Sequence, residues 1–460
     1  MTTRSITSTG GRLLVQEVDG LIQARGVPYA TAERFAPPVP VAESPAASSD
    51  AVDATARGPA CPQLPSRLAF VTGPVLDGLA TSEHCQVLSV TAPADADGLP
   101  VMVWFHGGAY VSGSGEAAMY DPDTLVREGR VIVVRVSYRL GILGFLNLAD
   151  ADCDNLGLRD QIAALRWVQD NIAAFGGDPR RVTVFGQSAG GYSALALMMC
   201  PETEALFTRA ILQSAPLGVL GVDRTAMVAA MREAASARLS GVAPSSADIG
   251  LLLQAQAAAL TAAAPFGLIG KMPFAPNVSQ LPIADPEAVT LAASRVELLV
   301  GYTRDDALPF VLLDRRGARL RRLGRVGGAA STMAGRALTR RAFGAPALAL
   351  ASSWRAAGGR AHTYRVDWTP GPFGACHCIE LPLLLGSRET WSNAPMLGSD
   401  GVDEDLAVRV RAQWSAFAHG SGAATGFRSR GLVASRSASG PDRRPLWGPI
   451  CPSRRAIRDR

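Results

Sequence analysis

The sequence predicts an α/β fold in which helices cover both faces of a central, mostly parallel sheet. Three observations carry that reading. Short runs rich in aliphatic and β-branched residues recur through the middle of the chain and are apolar on both faces, as strands of a covered parallel sheet should be. Segments with apolar residues at helical spacing lie between those runs. One run, Arg181–Gly186, passes through Gln187-Ser188 into a helix-like stretch from Ala189 to Met199, which is a strand turning directly into a helix.

Taken in order, the first ~40 residues read as a small antiparallel meander ahead of the main sheet. Strands follow at Val101–His106, Val131–Ser137, Arg181–Gly186, Ala210–Ser214, Val296–Gly301 and His362–Trp368. Between them, Leu158–Phe175 places Ile162, Leu165, Val168 and Ile172 on one helical face. Residues 220–295 are alanine-rich and residues 315–345 rich in arginine, glycine and alanine. Both fall between sheet strands and read as helical cap insertions in a single domain spanning residues 1–419. Residues 420–460 lose all periodicity. They read as a basic low-complexity tail, either disordered or the out-of-frame end of a coding sequence.

Charge and cysteine content narrow the function. The 460 residues carry a formal net charge of +5, but the tail holds nine arginines and two aspartates, which leaves the body slightly negative. A folded basic patch for nucleic acid is therefore not expected. No apolar run approaches the ~18 residues of a membrane span, so stable membrane insertion is not expected. The N-terminus lacks the apolar core of a secretory signal, which places the expected location in the cytoplasm. The seven cysteines are odd in number, widely spread and form no CxxC pattern, unlike a disulfide scaffold. Neighbours in an extended Cys376-His377-Cys378 point to opposite sides, so no metal site is read there.

The chemistry lies in four places. Gly186-Gln187-Ser188-Ala189-Gly190 fits G-x-S-x-G, a strained turn whose small neighbours let a serine hydroxyl stand above the sheet. That turn also aims the Ala189 N–H at the site, beside the positive end of the following helix. His106-Gly107-Gly108-Ala109-Tyr110 leaves a strand with residues small enough to bring backbone donors, at Gly108 and Ala109, against a developing oxyanion. An acid and then a histidine should follow the serine, each in a loop after a strand. Asp305 and Asp306 fill the first position. Of the five histidines, order and context select His377.

Together with "RGVPYA", "RFAPPVP", "CPQL", "SEHCQVLSV", "PVMVWFHGGAYVSGSG", "VVRVSYRLGILGFL", "NLGLRDQIAALRWVQDNIAAFGGDPRRVTVFGQSAGG", "RAILQSA", "GYTRDDALPF" and "GACHCIELPLLLG", these motifs resemble the type-B carboxylesterase family of bacterial para-nitrobenzyl esterases and cholinesterases. The resemblance implies the α/β-hydrolase fold and a serine esterase that needs no metal or organic cofactor. Ser188 would be the nucleophile, His377 the general base and Asp306 the acid, at a position where the family usually has glutamate. Gly108, Ala109 and Ala189 would be the oxyanion-hole donors. Cys61 and Cys85 match a pair that is disulfide-bonded in secreted members, and in a reducing cytoplasm they should be thiols. The expected substrate is a small, uncharged, moderately hydrophobic ester. The alternative is a catalytically impaired or non-enzymatic cholinesterase-like binding protein.

Overall fold

A computed structural model of the chain describes residues 2–41, 51–148, 154–220, 222–283, 286–421, 428–429 and 432–435. Apart from Ala30–Thr31 and Val39–Pro40, which pair in a separate two-stranded sheet, their strands form one thirteen-stranded sheet. In chain order its main strands are β1 (Thr2–Ser8), β2 (Gly11–Val18), β3 (Leu21–Pro28), β4 (Val87–Pro93), β5 (Leu99–Phe105), β6 (Ile132–Val136), β7 (Gly177–Gln187), β8 (Arg209–Gln213), β9 (Glu297–Thr303), β10 (Ala361–Val366), β11 (Arg428–Ser429) and β12 (Leu432–Ser435). The spatial order is 1-2-3-4-6-5-7-8-9-10-12-11, with Val52–Asp53 paired beside β2. From β6 through β5, β7, β8 and β9 to β10 every pairing is parallel. The pairings from β1 to β4 are antiparallel, as expected of the opening meander.

Because successive strand residues face opposite ways, the apolar runs build two cores. Val101, Val103 and Phe105 of β5 enter one, while Met102 and Trp104 enter the other. Leu298 and Val300 of β9 separate from Leu299 in the same manner. The covering helices include α1 (Asp123–Gly129), α2 (Leu156–Asn171) and α3 (Ala189–Met198). Ile162, Leu165, Val168 and Ile172 are all buried, so the stripe read from sequence is the face that packs. Between β8 and β9 lie α4 (Thr225–Leu239) and α5 (Ile249–Ala263). Between β9 and β10 lie α6 (Leu308–Leu313), α7 (Arg315–Arg321), α8 (Gly324–Thr339) and α9 (Ala345–Ala356). Helix α10 (Glu404–His419) follows β10; Asp403 caps it by accepting from the Leu406 N–H at 2.9 Å, and Gly420 ends it with a φ of 82°.

Three sequence expectations change. Val87–Pro93 is a fully buried strand that bridges the meander to the parallel sheet, and its mixed composition hid it. Ile249–Phe266 is uncharged over 18 residues and is, by length and hydropathy, a helix that could cross a membrane, contrary to the expectation that no run came close. In this fold α5 instead packs against α4, buries Leu252, Ala255, Ala259 and Ala263, and turns Gln254 and Thr261 outward. Within the tail, Leu432–Ser435 pairs antiparallel with β10, which the compositional argument did not foresee; most of residues 420–460 lies outside the described residues.

Candidate active site

Ser188 sits between β7 and α3 with φ 57° and ψ −118°, a conformation rarely adopted by residues other than glycine. Two interactions fix it. Its N–H donates to Gln213 O at 2.7 Å, and its carbonyl accepts from Tyr192 N at 3.0 Å in the first turn of α3. The flanking glycines are required by the end of β5. A Cβ on Gly186 would stand 2.7 Å from Phe105 O, and one on Gly190 would stand 2.8 Å from His106 O and overlap Phe105 O. The small residues thus exist so that helix and strand can cross the neighbouring backbone, as the sequence argument required.

The same crossing brings in the glycine loop. A Cβ on Gly107 would lie 2.7 Å from Gln187 Oε1 and 3.3 Å from Ser188 Cβ. Gly108 has φ 117°, and Ala109 and Tyr110 follow at 55° and 59°. Gly108 and Ala109 line the same small cavity as Ser188 and His377. Ala189, the first residue of α3, is fully buried and is not among the lining residues. Among the described residues, the N–H groups of Gly108, Ala109 and Ala189 donate to no backbone or side-chain acceptor. His106 takes no part in the cavity. Its ring stacks on Tyr138 at 4.4 Å, and burial pushes its pKa down to about 4, so it is neutral.

The acid and the histidine meet as sequence order predicted. Asp306, just beyond β9, is fully buried. Its Oδ1 accepts from His377 Nδ1, and its Oδ2 accepts from the Thr303 N–H at 3.1 Å. The imidazole is flanked by Phe310 and Phe343, with ring centroids at 5.1 and 5.4 Å. With Nδ1 donating, Nε2 is an acceptor, and it receives the Gln187 side-chain N–H at 3.1 Å. Gln187 adjoins the serine, so His377 Nε2 is held beside the elbow.

Asp305 has a different job from its neighbour. Its carboxylate accepts from Arg336 Nε at 2.7 Å, Arg304 Nη2 at 3.0 Å and the Ala375 N–H at 3.1 Å. Burial alone would raise its pKa, but the hydrogen bonds from Arg336 and then Arg304 hold it below the usual carboxylate value. It therefore ties β9, helix α8 and the loop bearing His377 together. Sequence reasoning missed Glu380, which is fully buried close to Asp306. Burial first, and the Asp306 charge second, push its carboxyl up to about 8, so it is neutral at pH 7. Only its place three residues after His377 could have drawn attention to it. Cys61 and Cys85 are buried free thiols, and the Cys61 sulfur accepts from the Leu140 N–H at 3.3 Å.

A second cavity, of about 340 Å³, adjoins the first and shares Met272 and Phe310 with it. Its walls include Val219, Leu268, Val311, Leu338 and Phe343. The charged members of its wall, Lys271 and Asp314, pair with each other at 3.5 Å, and an apolar group of moderate size would be desolvated against the rest.

Residues 7–322 match the model of the carboxylesterase family. The chain is 39% identical over 405 residues to a probable N-octanoylanthranilate hydrolase of Rhodococcus erythropolis, covering 86% of this chain and 88% of the relative. It is 34% identical over 467 residues to a para-nitrobenzyl esterase of Bacillus subtilis, covering 91% and 90%. Among solved structures it superposes on a carboxylesterase of Geobacillus stearothermophilus with a TM-score of 0.73 at 31% identity, covering 90% of each chain.

Proposed function

Since the chain belongs to the carboxylesterase family and is a carboxylic ester hydrolase, we propose that it works through Ser188, His377 and Asp306 by way of an acyl-enzyme. Ser188 Oγ attacks the ester carbonyl as His377 Nε2 takes its proton, displacing the Gln187 amide from that nitrogen. Asp306 keeps the proton of the neutral imidazole on Nδ1 and stabilises the imidazolium that forms. The N–H groups of Gly108, Ala109 and Ala189 receive the tetrahedral oxyanion, where a single donor is typically worth ~10²-fold or more in rate. His377 returns its proton to the departing alcohol. Water, activated by the same nitrogen, then releases the acid and restores the serine.

The observation that carries this reading is the buried Asp306–His377 pair, whose accepting Nε2 is held by the Gln187 amide beside the elbow that carries Ser188. The apolar second cavity favours small, uncharged, moderately hydrophobic esters. Wild type and Ser188→Ala are compared on short para-nitrophenyl esters. The variant is expected to lose nearly all turnover with an unchanged circular dichroism spectrum and melting temperature. Equal turnover in the two proteins would remove the serine from the mechanism.

A further inference from the structure

Helix α8 has two apolar or small faces, and only one of them is covered. Gly327, Ser331, Gly335 and Thr339 recur every fourth residue and are buried. They are small, and Gly335 lets the helix lie close on Leu308 of α6, where a Cβ would stand 3.2 Å from the Leu308 Cα. On the opposite side Val326, Ala330, Met333 and Ala337 share a second stripe. Val326 is 81% exposed and Met333 72%, and Leu323, at the start of the helix, is 70% exposed. On an ordinary surface helix that outer stripe would be polar.

The charge around it is one-sided. From Arg315 to Arg341 there are nine arginines and no aspartate or glutamate, although the chain outside the tail is slightly acidic overall. Arg319, Arg322, Arg325, Arg340 and Arg341 are exposed and form no ion pair among the described residues. Arg336 is committed to Asp305. Exposed aliphatic side chains bordered by guanidinium groups are the chemistry of a helix lying in the headgroup region of an anionic bilayer. A protein partner would have to supply carboxylates matching so dense an array, whereas anionic headgroups meet it without a fixed pattern.

The position beneath the helix is consistent with this. Leu338 of α8, Gly317 of α7 and Val311 of α6 line the apolar cavity that shares Phe310 and Met272 with the Ser188 cavity. We propose that the outer face of α8, carrying Leu323, Val326 and Met333 among its arginines, is a peripheral docking surface for anionic phospholipid membranes, from which apolar esters enter the cavity below. The docking does not depend on the Ser188 mechanism. The delivery of esters rests on it.

The test is flotation of the full-length chain with vesicles of phosphatidylcholine alone or enriched in phosphatidylglycerol. Ser188→Ala protein serves as a parallel sample, so binding is read whether or not the mechanism is right. Wild type and Ser188→Ala are expected to float with the phosphatidylglycerol vesicles, to ignore phosphatidylcholine, and to be released in high salt. The double variant Val326→Asp/Met333→Asp should reduce binding at least ten-fold, and Arg322→Gln or Arg325→Gln about five-fold each. All three should keep wild-type turnover of a soluble ester, which shows that they are folded. Three results would overturn the proposal: no flotation of wild type; flotation of the double variant equal to wild type, which would move binding to the tail or to α5; or a dimer in solution that the double variant dissociates without any vesicle binding, which would make the face a contact between copies.

Discussion

Replacing Asp306 by asparagine should cost about four orders of magnitude in kcat, and the reason lies in its two neighbours. Both groups facing the Asp306 carboxylate are donors: His377 Nδ1–H at Oδ1 and the Thr303 backbone N–H at Oδ2. An asparagine of the same shape offers one acceptor and one donor. The Thr303 N–H belongs to a fixed backbone and cannot turn, so the amide oxygen must face it. The amide NH₂ is then directed at His377 Nδ1, which must give up its proton to accept it. The proton moves to Nε2, and the base has lost the lone pair that should receive the serine proton. A wrong tautomer of this kind typically lowers kcat by ~10⁴, which is about 5.5 kcal/mol on the barrier. Asp305→Asn is the control. It weakens ion pairs to Arg304 and Arg336 whose arginine side chains are themselves partly exposed, so the expected cost is about 1–3 kcal/mol in stability and no more than ~10-fold in kcat. The assay is steady-state kcat and KM on a para-nitrophenyl ester, with thermal melting of each variant. If Asp306→Asn stays within ten-fold of wild type, or if Asp305→Asn is the more damaging, the assignment of the acid is wrong.

Two further outcomes follow from the same geometry. The carboxyl of Glu380 titrates near 8 when folded and near the ordinary glutamate value when unfolded, so the unfolded chain releases this proton first as pH rises. The contribution of this group to stability is therefore fully present below about pH 4.5 and lost progressively towards pH 8. Glu380→Gln should flatten that slope, and urea melts of both proteins at pH 5 and pH 8 measure it; parallel curves would show that Glu380 is not held neutral. Gly190→Ala forces a methyl group into the Phe105 carbonyl. It should destabilise the chain by about 1–3 kcal/mol and reduce turnover more than ten-fold, and a variant with wild-type melting and kcat would mean that the elbow yields to an added methyl group.

Much of this was legible before any coordinates. The runs at Val101–His106 and Val296–Gly301 read as buried strands because both of their faces are apolar, and the strands Leu99–Phe105 and Glu297–Thr303 that the structure forms there are packed on both faces. Strand–turn context restricts where a serine, an acid and a histidine can come together, which made Ser188, Asp306 and His377 the candidates; the structure pairs Asp306 with His377 and sets Gln187, next to Ser188, against the same imidazole. What the sequence withheld depends on long-range placement. Gln187 occupies a position in G-x-S-x-G that any residue can fill, and its bond to His377 appears only once residues 190 positions apart meet. Glu380 reads as one more acid until burial beside Asp306 makes it neutral. The strand Val87–Pro93 contains serine, threonine and proline, and its pairing with β3 and β6, not its composition, makes it a strand.

The Asp305 carboxylate bears on how freely residues 315–345 can vary in length. A segment inserted between two strands ordinarily tolerates gained or lost residues, since a longer loop costs little to close. Here Arg336 is fastened to a carboxylate that also grips the Ala375 N–H, two positions from His377. An added or deleted residue ahead of Arg336 rotates that arginine about 100° around its helix and pulls it off the carboxylate. Changes of whole helical turns, followed by an arginine in the same register, are the indels this stretch can accept while the imidazole keeps its place.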